Sequence, residues 1–226
     1  MKLFTYIKDN SSRIPKKNFQ VLGGLELWKH LIFEMRDSEI YIDTDSADIL
    51  RECHQNPDLS HVCCYDREPR FIAMENDPNN TFSPALLMVE NFLDKYVTDP
   101  YEEIVLTHVT SPFLKKETVY DALEYLNQGY EFVHSIRSVQ DFAWIGPHFK
   151  PLNFNPDVVQ RTQDMEKIHF SNGAFFMFNK DNFKKYKNRL GEHNFYYPLT
   201  AVEAIEIDTP ADLELAKIVY GGLENA

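Results

Sequence analysis

The chain has 226 residues, a length that one domain can reach, and 26% of its residues are charged. Its formal net charge is -12 at pH 7, and its lysines and arginines form no extended basic face, which excludes a nucleic-acid-binding function. The opening residues contain no apolar signal core, and no apolar run is long enough to cross a membrane, so we expect a cytoplasmic protein without a membrane partner.

Apolar strands alternate with amphipathic helices along most of the chain. The pattern predicts strands over 2–7, 39–43, 61–65, 103–108, 132–135, 173–179 and 204–207. It predicts helices over 25–36, 46–55, 83–96, 116–128 and 210–219. This alternation indicates an α/β fold with a mainly parallel sheet and with ligands at the carboxyl ends of the strands. The segment over about 142–171 is less patterned, which predicts an insertion over the site or towards a partner subunit.

A polar loop follows the first predicted strand and concentrates positive charge. It contains Lys8, Arg13, Lys16 and Lys17 among small polar residues such as Ser11. Backbone amides in such a turn, flanked by lysine and arginine, can hold a triphosphate and offset its charge. The alternative interpretation is a solvated basic loop.

Two further predicted strands end in hydroxyl and carboxylate groups. Residues 44–46 place Asp45 between a threonine and a serine, and residues 108–112 include Thr110 and Ser111. These groups could contact a sugar or a nucleotide. They could equally cap the helices that follow, since serine, threonine and aspartate are favoured at helix starts.

Two carboxylates stand near the end of the chain. Alternation along the predicted strand 204–207 places Glu206 and Asp208 on the same side. Two such carboxylates can share a hard divalent cation, which commonly bridges to substrate phosphates. Thr209 and Asp212 form a capping box for the last helix, so we assign these two residues a structural role.

Short motifs of one known family occur in order over nearly the whole chain. They are the stretches 13–18 (R-I-P-K-K-N), 22–24 (L-G-G), 44–46 (T-D-S), 67–73, 110–112 (T-S-P), 161–164 (R-T-Q-D), 172–174 (N-G-A) and 205–213. In this order they resemble the acylneuraminate cytidylyltransferase family, the CMP-sialic acid synthetases. Residues 108–110 read H-V-T where the sister branch that activates the acid sugar Kdo has Q-G-D, which favours the nonulosonic-acid branch.

The resemblance implies a Rossmann-like three-layer nucleotidyltransferase fold in a single domain, with a small inserted dimerisation segment at about 142–171 and a homodimeric assembly. It implies that the anomeric hydroxyl of a 2-keto-3-deoxy acid sugar attacks the α-phosphate of CTP and releases pyrophosphate, with Mg²⁺ (or Mn²⁺) present. The product would serve surface-glycan synthesis. Two alternatives stay open: a different acceptor (Kdo, a phosphonate or a sugar phosphate), or a catalytically impaired nucleotide-binding homologue.

The resemblance also implies roles for the residues at matching positions. The catalytic residues would be Lys8, Lys17 and Asp208. The residues that would bind the nucleotide are Lys8, Ser11, Arg13, Lys17, Asn18, Asp45, His108 and either Arg67 or Arg70, one of which would face the triphosphate. Those that would bind the acid sugar are Thr110, Ser111, Arg161, Gln163 and Asn172. Glu206 and Asp208 would hold the metal ion.

The sequence departs from the family at several of these positions. Lys8 replaces an arginine, residues 9–12 (D-N-S-S) replace G-G-S-K, His108 replaces a glutamine, and Glu206 replaces the first aspartate of the terminal pair. The charge-neutralising groups that phosphoryl transfer needs are still present. The departures therefore indicate a divergent substrate in preference to a lost activity.

Overall fold

A seven-stranded sheet forms the centre of the molecule, which a computed structural model describes over residues 1–224. The strands in chain order are β1 (Lys2–Ile7), β2 (Val21–Leu22), β3 (Leu25–Glu26), β4 (Glu39–Thr44), β5 (Val62–Asp66), β6 (Glu103–Thr107), β7 (Phe132–Val139), β8 (Trp144–Ile145), β9 (Lys150–Pro151), β10 (Ile168–Asn179) and β11 (Asn194–Pro198). The helices are α1 (Leu27–Glu34), α2 (Ala47–Gln55), α3 (Pro69–Asn76), α4 (Ala85–Tyr96), α5 (Lys116–Asn127), α6 (Lys180–Tyr186) and α7 (Pro210–Glu224).

The central sheet is mainly parallel, as the sequence predicts. Its strand order is β11-β7-β10-β6-β1-β4-β5, and β10 runs antiparallel to both of its neighbours. The strands β1, β4, β5 and β6 are parallel, so the loops that follow them meet at one edge of the sheet. This edge brings together the polar segments that the sequence places after separate strands.

Helices cover both faces of the sheet, which confirms the three-layer α/β fold. Successive residues of a strand point to opposite faces. Accordingly, Leu3 packs in a core with α1, α2 and α5, whereas Phe4 packs in a second core with α3, α4 and α6. A smaller cluster joins α7 to the turn around Ile14 and Leu22. Among the residues described, no helix has both the length and the apolar character needed to cross a bilayer.

The predicted strand over 204–207 does not form, and this prediction is wrong. Residues 201–204 are turns, and residues 205–208 make no ladder with a neighbouring strand. One backbone hydrogen bond, from the Ile207 N–H to the Thr110 carbonyl at 2.8 Å, attaches the segment to the loop after β6. Strand pairing needs a neighbouring strand with a free edge, and the strands that have one are β11 and β5, whereas this segment is bonded to the loop after the central strand β6.

The inserted segment lies between β7 and β10, which both extend beyond the rest of the sheet. It contains the small antiparallel pair of β8 and β9. Its exposed apolar side chains include Trp144, Ile145, Phe149 and Val159. The predicted role of this segment in dimerisation stays a prediction.

Candidate active site

A cavity of about 770 Å³ opens at the carboxyl ends of the parallel strands. Its lining includes most of the residues that the sequence analysis selects: Lys8, Ser11, Arg13, Lys17, Asn18, Asp45, His108, Thr110, Glu206 and Asp208. The loop after β1 therefore faces the segment before α7, although almost the whole chain separates them.

Polar side chains hold the loop after β1 in place. The Asp9 N–H donates to Asp45 Oδ1 at 2.7 Å, and Ser46 Oγ donates to Asp9 Oδ1 at 2.9 Å. Asn18 is buried, and its Nδ2 donates to the Lys8 carbonyl at 2.8 Å. In this structure Asn18 and Asp45 thus shape the loop that presents the cations.

The loop after β1 forms without the two glycines of the motif G-G-S-K to which the sequence was compared. Residues 9–12 all have negative φ, and the left-handed conformation falls instead on Lys16, with φ of 49°. A short 3-10 turn then begins at Lys17. The loss of glycine at 9–12 consequently places no residue of that stretch in a strained region of backbone space.

Asp208 forms ion pairs with two cationic side chains of the loop after β1. Lys17 Nζ lies 3.1 Å from Asp208 Oδ1 and donates to the Ile207 carbonyl at 3.0 Å. Arg13 Nη2 lies 2.9 Å from the same Asp208 oxygen. The Lys17 side chain is 12% exposed and that of Arg13 is 60% exposed, so solvent screens the Lys17 pair less.

Arg67 lies beneath the cavity and does not line it. Its side chain is fully buried, with Nε 2.7 Å from Asp43 Oδ1 and Nη1 2.8 Å from Glu75 Oε2. Glu75 lines the cavity, and its other oxygen lies 3.0 Å from Lys8 Nζ. Burial raises the pKa of Asp43, and the hydrogen bond and charge of Arg67 oppose that rise. Arg67 therefore supports Lys8 through Glu75 in this structure.

Glu206 folds back onto β10. The Gly173 N–H donates to Glu206 Oε2 at 3.3 Å, and burial raises the pKa of this carboxyl. A Cβ atom at Gly173 would lie 2.7 Å from both Glu206 Oε1 and His108 Nδ1. The N-G-A motif thus supplies a glycine where any larger residue would require the Glu206 or the His108 side chain to move.

His108 forms part of the cavity wall together with Tyr6. The Tyr6 hydroxyl and His108 Nε2 share a hydrogen bond of 3.0 Å. Burial lowers the pKa of His108 to about 4, and the neighbouring positive charge of Arg189 adds to this effect. The imidazole is therefore neutral at pH 7, and its Nδ1 faces Gly173 and the Glu206 carboxylate.

The residues predicted to bind the acid sugar have different environments. Thr110 and Ser111 are both buried, and Thr110 lines the cavity whereas Ser111 does not. Asn172 is also buried, and its Nδ2 donates to the Ala204 carbonyl at 2.9 Å, which attaches the acidic segment to β10. Arg161 and Gln163 are exposed in the insertion and do not line the cavity.

Arg70 likewise lies outside the cavity lining. Its side chain is 64% exposed and pairs with Glu68 at 2.7 Å. Arg161 pairs with Asp164, three residues along the chain. The proposed substrate contacts of Arg70, Arg161 and Gln163 stay predictions.

The sequence analysis missed Glu75 and Tyr6. Tyr6 shares a face of β1 with the buried Phe4, so strand alternation carried a signal for its position. Glu75 stands in α3, a helix that the sequence analysis did not predict, and its distance from Lys8 depends on how α3 packs on the sheet.

The sequence profile of the cytidylyltransferase family matches residues 9–223. The chain is 24% identical over 224 residues to an N-acylneuraminate cytidylyltransferase of Streptococcus agalactiae serotype III, covering 91% of this chain and 49% of the relative. It is 22% identical over 234 residues to a pseudaminic acid cytidylyltransferase of Campylobacter jejuni, covering 94% of this chain and 93% of the relative. The chain thus spans about half the length of the streptococcal relatives that it matches.

Solved structures share the fold over almost their whole length. A CMP:2-keto-3-deoxy-manno-octonic acid synthetase complexed with CTP superposes with a TM-score of 0.64 at 12% identity, covering 98% of each chain. A 4-diphosphocytidyl-2C-methyl-D-erythritol synthase superposes with a TM-score of 0.66 at 8% identity, covering 96% of this chain and 98% of that one. The family profile spans nearly the entire chain, and the fold agrees with it: the chain belongs to the cytidylyltransferase family.

Proposed function

We propose that the protein transfers CMP from CTP to the anomeric hydroxyl of a nonulosonic acid and releases pyrophosphate. Family membership supports the use of CTP. The names of the two curated relatives, one acting on N-acylneuraminate and one on pseudaminic acid, support an acid-sugar acceptor of that class.

The contact between Lys17 and Asp208 is the observation that carries this proposal. It joins the cationic loop after β1 to the acidic pair before α7 across a single cavity. A triphosphate in this cavity would offer oxygen atoms to Lys17 and Arg13 in place of Asp208. Asp208 thus holds both cations near the positions where they would neutralise phosphate charge.

The cavity fits a divalent cation held by Glu206 and Asp208. Its lining contains five carboxylates (Asp9, Asp45, Glu75, Glu206 and Asp208) and three cationic side chains (Lys8, Arg13 and Lys17), so a triphosphate alone would meet excess negative charge. Among the side chains that the structure describes, no group of three or more His, Cys, Asp or Glu is arranged to hold a metal ion. A two-carboxylate site agrees with an ion that takes further ligands from substrate phosphates and water.

Glu206 and Asp208 would hold Mg²⁺ or Mn²⁺, which would supply charge neutralisation for the phosphates and lower the pKa of the attacking hydroxyl. In the transfer, a bond forms between the anomeric oxygen and the α-phosphorus. The bond from the α-phosphorus to the oxygen that bridges to the β-phosphate breaks, and pyrophosphate leaves with that oxygen. The O–H bond of the anomeric hydroxyl also breaks, and its proton is released to water. Lys8, Lys17 and Arg13 would hold the phosphates in line for this exchange.

A panel of acceptors tests the proposal. The purified protein, CTP and MgCl₂ are incubated separately with N-acetylneuraminate, legionaminate, pseudaminate and Kdo, and pyrophosphate release and CMP-sugar formation are measured. We expect turnover of a nonulosonic acid. Turnover of Kdo alone would assign the sister activity, and CTP binding without turnover of any acceptor would favour a nucleotide-binding homologue.

We also propose that the protein forms a homodimer through the insertion at about 142–171. We propose in addition that it acts in the cytoplasm, where CTP is synthesised. Trp144, Ile145 and Phe149 are more than half exposed, and Val159 is 99% exposed. Several apolar side chains exposed to this degree within one segment are typical of interaction surfaces. Light scattering should give a dimer mass for the unaltered protein and a monomer mass after Trp144→Ser with Val159→Asp; a monomer mass for both would contradict the dimer.

A further inference from the structure

Arg189 lies beside the candidate active site. It belongs to none of the motifs and does not line the cavity, so no role has yet been assigned to it. It lies in the loop between α6 and β11, and its guanidinium carbon lies 3.8 Å from the centroid of the Phe176 ring. Phe176 is buried in β10. No ion pair among the side chains that the structure describes, those of residues 1–223, joins Arg189 to a carboxylate.

This positive charge lies next to the wall of the cavity. Burial raises the pKa of the wall residue Tyr6, and the charge of Arg189 and a hydrogen bond from its guanidinium to the Tyr6 hydroxyl oppose that rise. The same charge contributes to the lowered pKa of His108. The rings of His108 and Phe176, on which Arg189 stacks, have centroids 6.3 Å apart. An arginine on an aromatic face keeps its planar N–H edge available for an anion.

The order of groups across the sheet places Arg189 on the acceptor side. The cationic loop follows β1, and Glu206 contacts Gly173 in β10. The ring of Phe176 lies 4.2 Å, centroid to centroid, from that of His134 in β7, one strand farther from β1. The nucleophile of an in-line transfer approaches the α-phosphorus opposite the leaving pyrophosphate. If the loop after β1 holds the triphosphate, the acceptor lies towards β10 and β7.

We propose that Arg189 binds the carboxylate of the acid-sugar acceptor and thereby selects acidic acceptors. This inference rests on the proposed function. A guanidinium can pair with a carboxylate through two parallel hydrogen bonds, which gives orientation as well as affinity. The motif resemblance assigns contact with the acid sugar to Arg161. In the structure, however, Arg161 is exposed and paired with Asp164.

The test compares each acid of the panel with its methyl ester, which keeps the anomeric hydroxyl but lacks the negative charge. The variants are Arg189→Gln and Arg189→Lys. Arg137→Gln is the matched control, because Arg137 also lies over an aromatic ring, that of Phe170 at 5.1 Å, but in the exposed extension of β7. Steady-state kinetics give kcat and KM for each acceptor, and calorimetry gives the Kd of CTP.

We expect the unaltered protein to prefer the acid. Arg189→Gln should raise the KM of the acid about ten- to hundredfold and abolish the preference over the ester, with the Kd of CTP unchanged. Arg189→Lys should restore part of the preference, and Arg137→Gln should match the unaltered protein. If the substitution lowered kcat/KM equally for the acid and the ester, Arg189 would only support Phe176 and the inference would fail. An unchanged KM for the acid would also overturn the inference. If the unaltered protein turned over no acid, the proposed function would fail, and this role with it.

Discussion

The Lys8 ammonium and the Glu75 carboxylate lie 3.0 Å apart at the wall of the cavity. The Glu75 side chain is only 8% exposed, and its second oxygen accepts from the fully buried Arg67. Arg67 in turn pairs with Asp43, which is also fully buried. Lys8 is thereby the outermost member of a series of buried charges, which restricts where its ammonium can lie.

Replacing Glu75 should separate the positioning of Lys8 from the binding of CTP. Glu75→Gln keeps the size of the side chain and an acceptor for Arg67 but removes the ion pair with Lys8. We expect kcat to fall about ten- to hundredfold, because small displacements of a positioned group are costly in phosphoryl transfer. The Kd of CTP should not rise, since the substitution removes a negative charge beside the triphosphate. Glu68→Gln is the control, because Glu68 also pairs with two cations but lies outside the cavity lining. An unaltered kcat would contradict the positioning of Lys8.

Lys17→Ala should weaken the binding of CTP. The variant loses a charge-assisted contact from a side chain that is largely shielded from solvent, which corresponds to about 1.5–3 kcal/mol of binding free energy. Calorimetric titration with CTP measures the change. Lys16→Ala is the matched control, because Lys16 pairs with Asp9 and does not line the cavity. Equal CTP affinity of Lys17→Ala and the unaltered protein would rule out the phosphate contact.

Asp208→Asn should abolish turnover and leave the protein folded. The amide keeps the shape of the side chain, and Asp208 is partly exposed, so the fold loses little. The loss of a carboxylate ligand and of the charge that holds Lys17 and Arg13 should lower kcat/KM more than about a hundredfold. Circular dichroism shows whether the variant is folded, and a rate measurement at a series of Mg²⁺ concentrations shows how much turnover is lost. Asp157→Asn, in the exposed insertion, serves as control. Full activity of Asp208→Asn in Mg²⁺ would refute the metal assignment.

Glu206→Asp should lower activity, although it restores the residue that the family carries. The Glu206 carboxylate contacts the Gly173 N–H on β10, and a side chain shorter by one methylene would not make the same contact. We expect a lower kcat and a higher Mg²⁺ concentration for half-maximal rate. A marked gain of activity would instead indicate that Glu206 impairs the site.

Glu131 should make the stability of the protein depend on pH in the acid range. Its carboxylate accepts from Lys185, from the Tyr186 hydroxyl and from the His193 N–H, and these hydrogen bonds, that of Lys185 foremost, lower its pKa from 4.5 to about 2. A lowered pKa stabilises the folded state above the pKa of the unfolded chain, and this contribution is lost as the pH falls from about 4.5 towards 2.

The variant Glu131→Gln should therefore melt at a lower temperature than the unaltered protein at pH 7, with a difference that shrinks as the pH falls below 4.5. Thermal denaturation at a series of pH values measures the difference. Glu192→Gln, an exposed residue of the same region, should show no comparable change. A difference that stayed constant from pH 7 to pH 3 would contradict the lowered pKa.

Local sequence patterns were sufficient for the parts of the fold that depend on neighbouring residues. Strands β1, β4 and β6 follow from their apolar runs, and Ser46 caps α2 as its position before that helix predicts. Burial periodicity and capping act over a few residues, so a single sequence contains them. The predicted strand at 204–207 was wrong because a ladder also requires the segment to lie beside an edge strand. The tertiary structure places it at the loop after the central strand β6 instead, and no local pattern reports that placement.

The side chains at the site divide in the same way. The sequence alone identifies Lys17 and Asp208 as a cation and a carboxylate and places them next to a strand and a helix. The motifs in which they occur indicate nucleotide chemistry. The sequence does not show whether a lysine or arginine of a motif reaches the cavity, because the burial and orientation of its side chain depend on how distant elements pack. Arg67 is enclosed by Asp43 and Glu75, Arg161 lies in solvent, and Arg189 stands beside the cavity wall because the loop after α6 folds over Phe176.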